Sequence, residues 1–192
     1  MTENQTSKQK KLNSVQANEL DRLIVDTARG DKQSFAVLYS KTQAAVYGLA
    51  LSYLRSPADA EDVSQDVFVQ IWNGAERFQA AGHAMAWIMT ITRNMALERL
   101  RRNARFVDID EEQWQQMPCE MPDVSTEDKV LLHTVLCRLS FEEQQIVNLH
   151  AVAGLKHREI AELLKIALPT ELSKYHRALK KLKGFLEGEK SV

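Results

Sequence analysis

The run His157-Arg-Glu-Ile-Ala-Glu-Leu-Leu-Lys-Ile-Ala-Leu-Pro-Thr-Glu-Leu-Ser-Lys-Tyr-His176 constrains this chain more than any other stretch. It reads as two helices separated by a turn of about three residues, the spacing of a helix-turn-helix. Ala161 sits where the helices cross, and a small side chain there permits close approach. Ile160, Leu163 and Leu164 supply a buried face. Pro169 suits the first position of the second helix, where its missing N–H is not needed. At 100° per residue, Thr170, Ser173, Lys174, Arg177 and Lys181 share one face of that helix, and Leu172, Tyr175, Leu179 and Leu182 the other. Hydroxyls and cations opposite a packed face are what reading a major groove requires. Glu171 stands where such helices usually bury an aliphatic residue. Either Leu172 takes that place after a small rotation, or Glu171 is exposed.

The rest of the chain obeys the same helical period. It has only 7 Gly and 4 Pro in 192 residues, and alternating apolar runs are scarce, so the expected class is all-α. Leu20, Leu23, Ile24 and Ala28 mark one helix, ended by Gly30. Phe35 through Tyr53 mark a second, broken at Pro57. Val63, Val67 and Ile71 mark the core side of a third. Gly74 to Gly82 is a loop, and a fourth helix runs from near Ala84 to about Arg102. Beyond it, 126–139, 141–151, 157–165 and 169–186 are the expected helices of a second block.

The net charge of −1 says nothing about a partner, whereas the distribution of charge does. Five Arg stand against one Glu from Arg93 to Arg105. Eight acids with no Lys or Arg lie between Phe106 and Asp128, a stretch that also holds Pro118 and Pro122. Eight Lys or Arg stand against three Glu from Lys156 to Lys183. Two cationic blocks around an acidic, proline-bearing stretch fit two DNA-contacting modules on a linker. The division expected is a disordered tail over 1–18, a helical domain over 19–104, an acidic flexible linker over 105–125 and a second helical domain over 126–188.

Little in the chain is suited to catalysis. It has no Gly-rich phosphate loop, no nucleophile-base pattern and no metal ligand set, so no enzyme, cofactor or metal is expected. His133 and Cys137 stand four apart on one expected helix, but two ligands are too few for structural zinc. The two cysteines have no CxxC spacing, no apolar run approaches the roughly 20 residues that span a bilayer, and no apolar signal core is visible. A cytoplasmic protein is expected. From the residues alone, a helix-turn-helix regulator with a ligand-sensing first block and an interaction-only factor that does not open DNA remain alternatives.

Several segments taken together narrow the choice. Asp-Ala-Glu-Asp-Val-Ser-Gln-Asp-Val-Phe (59–68) and Ala-Trp-Ile-Met-Thr-Ile-Thr-Arg-Asn-Met-Ala-Leu-Glu-Arg-Leu-Arg-Arg (86–102) stand in the first block. Phe-Glu-Glu-Gln-Gln-Ile-Val (141–147), Gly-Leu-Lys-His-Arg-Glu-Ile-Ala-Glu-Leu-Leu (154–164) and His-Arg-Ala-Leu-Lys-Lys-Leu (176–182) stand in the second. In this order and spacing, over about residues 20 to 186, the chain resembles the extracytoplasmic-function sigma factors of bacterial RNA polymerase.

The resemblance implies a region 2 and a region 4 on a flexible linker, acting on core polymerase and promoter DNA. Asp62, Gln65, Asp66 and Val69 would meet the β′ clamp helices. Arg77 and Phe78, with the loop through Gly82, would hold a flipped minus-ten base, and Trp87, Thr90, Asn94 and Arg101 would face the melted strand. Thr170, Ser173, Lys174, Arg177 and Lys181 would contact the minus-thirty-five duplex, with region 4 also touching the β flap. The linker would lie in the RNA-exit path, and an anti-sigma factor would hold the protein in reserve. Three departures stand out. Lys165 and Pro169 replace glycines of the family's turn, and Glu171-Leu172 inverts its aliphatic-then-basic order.

Overall fold

The computed structural model describes residues 19–102 and 139–188, the last three of them as backbone only. The tail, the linker with Trp114 and Met117, the helix expected over 126–139 except its last residue, and His133, Cys119 and Cys137 lie outside the described residues. Every described element is helical, as the period required.

Helix α1 (19–28) buries Leu20 and Ile24 and stops at Gly30, whose φ of 87° is a left-handed position that glycine adopts without strain. Asp31 starts α2 (Lys32–Leu54), its carboxylate accepting from the Gln33 N–H and the Ser34 hydroxyl. Arg55 closes α2 in the left-handed region, and Ser56 caps α3 (Pro57–Gly74) with Pro57 in its first turn. A short 3-10 turn, Ala75–Arg77, leads through the loop to α4 (Ala84–Arg102). Helices α2, α3 and α4 enclose the first core, with Leu49, Val67, Ile71, Ile88 and Met89 essentially inaccessible.

The second block opens on a reciprocal cap. Ser140 accepts from the Glu143 N–H while Glu143 accepts from the Ser140 N–H. Helix α5 (Phe141–Val147) then widens into a π-helical turn over Asn148–Val152, closed by the Ala153 N–H on the Asn148 carbonyl. Helices α6 (His157–Leu164) and α7 (Leu168–Gly188) form the bihelical motif.

Lys165 ends α6 with φ 58° and ψ 42°, a left-handed conformation that glycine adopts without strain. It is exposed and loses only a solvated side chain on truncation. Lys165→Gly should therefore raise stability by about 1 kcal/mol, measured as a higher urea midpoint at unchanged slope.

One feature was not expected from two modules on a flexible tether: the two blocks pack against each other. Ile146, Leu149, Leu155 and Ile160 are continuous with the first core. The Tyr53 hydroxyl of α2 meets Gln145 Oε1 of α5 at 3.1 Å, and its ring sits edge-on to Phe141 at 5.2 Å. Gly48 lies so close to the π turn that a Cβ added there would stand 2.2 Å from the Asn148 amide nitrogen. At the edge, His83 and Glu159 approach to 3.5 Å.

Candidate nucleic-acid and docking surfaces

The outer side of α3 is built by its own periodicity. Val63, Val67 and Ile71 point inward, which leaves Asp62, Gln65, Asp66 and Val69 exposed, Val69 by 59%. Arg99 of α4 reaches across to both Asp59, at 2.6 Å, and Asp62, at 3.1 Å. The hydrogen bonds that Arg99 donates to Asp59 first, and then the attraction of both carboxylates, raise the guanidinium pKa. The bridge fixes α3 against α4, so the acidic face is carried on a stiff pair of helices. The four residues read as one face do stand together.

On α4, the turn-by-turn burial of Ala84, Ile88, Thr92, Ala96 and Leu100 leaves Thr90, Asn94 and Arg101 exposed on the other side. Trp87 is half-buried against Phe78, with ring centroids 5.1 Å apart, and Arg77 is exposed at the end of the 3-10 turn. This grouping offers a stacking surface beside cations and hydrogen-bonding side chains, as unpaired bases require. Its loop is held by a residue the sequence reading missed. Asp21 of α1 accepts from the Gly82 N–H at 2.6 Å and the Ala84 N–H at 3.1 Å, which seals the start of α4. The available signal was a carboxylate in the apolar stripe of Leu20 and Ile24, where an acid is retained only with partners.

On α7, the packed face differs from the expected one by a rotation. Glu171 and Ala178 are buried, with Tyr175 and Leu182 beside them, while Leu179, expected inside, is 41% exposed. Neither alternative for Glu171 holds, because it is 0% exposed and its Oε1 lies 2.9 Å from His157 Nδ1. Rotation also redistributes the cations. Lys174 and Lys181 lie on the flank beside α5, paired with Glu142 and Glu143 respectively. Burial opposes ionisation of Glu143, but Lys181 and the Ser140 cap outweigh it and hold its carboxyl below the usual range. Of the expected set Thr170, Ser173, Arg177 and Lys181 are exposed and Lys174 is half-buried; they are joined by His176 and Lys180, which the rotation brings outward and which the sequence reading missed. Among the described residues no cluster of three or more His, Cys, Asp or Glu is arranged to hold a metal, and no helix is long and apolar enough to cross a membrane.

Residues 38–106 match the family model for Sigma-70 region 2, and residues 129–182 match that for Sigma-70, region 4. An ECF RNA polymerase sigma factor, SigK of Mycolicibacterium vanbaalenii, is 30% identical over 177 residues, covering 86% of this chain and 90% of its own. SigK of Mycobacterium tuberculosis H37Ra is 26% identical over 179 residues, covering 89% and 95%. The fold resembles that of CnrH in complex with the cytosolic domain of CnrY (TM-score 0.61, 23% identity, 88% of this chain and 98% of that one). It also resembles sigma factor RpoE of Bartonella quintana, solved with the anti-sigma factor NepR (TM-score 0.61, 21% identity, 81% and 98%).

Proposed function

Because the chain belongs to the ECF RNA polymerase sigma factors, non-enzymatic factors that direct promoter-specific transcription, we propose the following division of labour among its surfaces. Region 2 spans 19–104 and docks on the β′ clamp helices through Asp62, Gln65, Asp66 and Val69. The grouping of Arg77, Phe78 and Trp87 captures the extruded minus-ten base, and Thr90, Asn94 and Arg101 track the separated strand. Region 4 spans 126–188 and reads the minus-thirty-five duplex through Thr170, Ser173 and Arg177, supported by His176 and Lys180. Lys174 and Lys181 join that contact by exchanging Glu142 and Glu143 for phosphate. The 105–125 segment is the tether between the two regions, and 1–18 is a tail.

The observation that carries this reading is the pairing of an exposed acidic face on α3 with an exposed hydroxyl-and-cation face on α7 in a single chain. A sensor-type regulator would need an apolar pocket in the first block, whereas Leu49, Val67, Ile71 and Ile88 fill that interior. The work is cytoplasmic, where polymerase and promoter are found. An anti-sigma factor completes the regulation, a reading supported by the fold's likeness to a sigma factor solved with the anti-sigma factor NepR.

Arg177→Ala tests the duplex-reading face. Minus-thirty-five binding should weaken at every salt concentration, and the slope of log affinity against log salt should fall by about one if the guanidinium sits on a phosphate. Fluorescence anisotropy with a labelled duplex, in the holoenzyme, measures both. An unchanged affinity and slope would mean that α7 presents another face.

A further inference from the structure

Region 4 holds a buried ionisable group that no contact with DNA or polymerase explains. Glu171 is fully inaccessible in the first turns of α7, although Leu172, one position on and half-buried, could fill an apolar site at less desolvation cost. Its Oε1 lies 2.9 Å from His157 Nδ1, at the first residue of α6, and its Oε2 meets no partner among the described residues. A carboxylate oxygen accepts, so His157 Nδ1 carries the proton. The His157 ring stacks on His150 of the π turn with centroids 4.3 Å apart and planes 18° off parallel. His150 is itself oriented, its Nδ1 donating to the Leu155 carbonyl at 2.9 Å. Tyr175, one turn after Glu171 on the same face of α7, sits edge-on to both imidazoles at 4.8 and 4.9 Å.

We propose that the His157–Glu171 pair, seated against His150 and Tyr175, is a positioning pair that sets the rotation of α7 about its axis and thereby selects which residues reach the minus-thirty-five bases. The proposal rests on the reading of α7 as the duplex-reading helix. Glu171 and Leu172 compete for one inner position, and a helix that seats the second rather than the first turns by 100°. That turn carries Ser173 and Arg177 off the outward face. Apolar packing alone accepts either residue, because it is not directional. A hydrogen bond between a fixed imidazole and one carboxylate oxygen accepts only one. Single buried polar residues fix register in this way in helix pairs, at a cost in stability.

The pair predicts a separation of stability from specificity. The full-length chain is assembled with core polymerase and offered promoters randomised at each minus-thirty-five position, with transcripts sequenced. Wild type should rank the bases. Glu171→Gln, which keeps shape and an acceptor oxygen, should preserve that ranking. Glu171→Leu should melt at the same or a higher temperature and bind core polymerase as wild type does, yet lose preference at the contacted positions by about tenfold. His157→Ala removes the donor from a partly exposed site and should reproduce that loss, so the proposal stays testable if the leucine variant fails to fold. A wild-type ranking retained by Glu171→Leu, or by His157→Ala, overturns the positioning role while leaving the duplex-reading assignment intact. No ranking in wild type overturns both.

Discussion

Asp66→Arg should reduce binding to core RNA polymerase at least about 100-fold, with the thermal unfolding transition left in place. The large effect comes from the setting. Asp66 is exposed between Asp62 and Val69, on the face that region 2 would offer to the clamp helices. Reversing a charge inside a complementary interface sets like charges against each other, at a cost of several kcal/mol. The small effect on folding follows from the same exposure, since surface substitutions away from special backbone sites stay within about 0.5 kcal/mol. Arginine also suits a helix interior better than aspartate does. Labelled protein titrated with core polymerase, alongside circular dichroism melts, gives both numbers. Asp66→Asn, which only removes the charge, should lose less, about tenfold, and should depend less steeply on salt than wild type. Equal affinity of wild type and Asp66→Arg would move the docking face off this side of α3.

The outer faces of α3 and α4 were legible because burial of one helical stripe determines what the opposite stripe exposes. Val63, Val67 and Ile71 on one helix and Ile88 on the other left no second choice for Asp66 or Asn94. Two things were not legible, each for a physical reason. The rotation of α7 places Glu171 inside, within hydrogen-bond reach of His157 14 residues away, while hydropathy ranks a glutamate as an outward residue. The packing of the two blocks joins Ile146, Leu149, Leu155 and Ile160 to the first core around Gly48, Gln145 and Asn148, and an apolar period marks a residue as buried without saying which block it meets. The π turn at Asn148 adds a residue to the helical turn, so the pattern that precedes it does not predict which side chains face α2 after it.

Gly48→Leu should separate the two blocks, and the effect is expected to be large because of what surrounds the site. The three atoms nearest a Cβ at 48 all belong to the Asn148 side chain, so the clash falls on the π turn, and in the interior of α2 leucine is preferred to glycine by roughly 1 kcal/mol. The Asn148 amide could swing away from a methyl group, but not from an isobutyl group held against the π turn. The contact is also not a tight one to break. Gln145 Nε2 and Asn148 Oδ1 are buried without hydrogen-bond partners among the described residues, and each such group costs about 1–3 kcal/mol that hydration would recover on opening. Against this stand the edge-on packing of Tyr53 and Phe141 and the Tyr53 hydroxyl, whose pKa burial pushes up to about 12. Promoter geometry requires opening in any case. By their names the two elements lie roughly 25 base pairs apart, on the order of 85 Å of duplex at about 3.4 Å per pair. A folded chain of this length has a radius of gyration of about 16 Å and spans on the order of 40 Å, so the packed pair cannot reach both elements. The packed form is therefore the one that must be lost, and its population lowers apparent affinity for any partner that needs the open form. Gly48→Leu should raise the radius of gyration measured by X-ray scattering, split thermal unfolding into two transitions, and increase core affinity by up to about tenfold if the packed form holds about 90% of the free protein. An unchanged radius of gyration with unchanged core affinity would mean that the contact between α2 and the π turn does not hold the blocks together in solution.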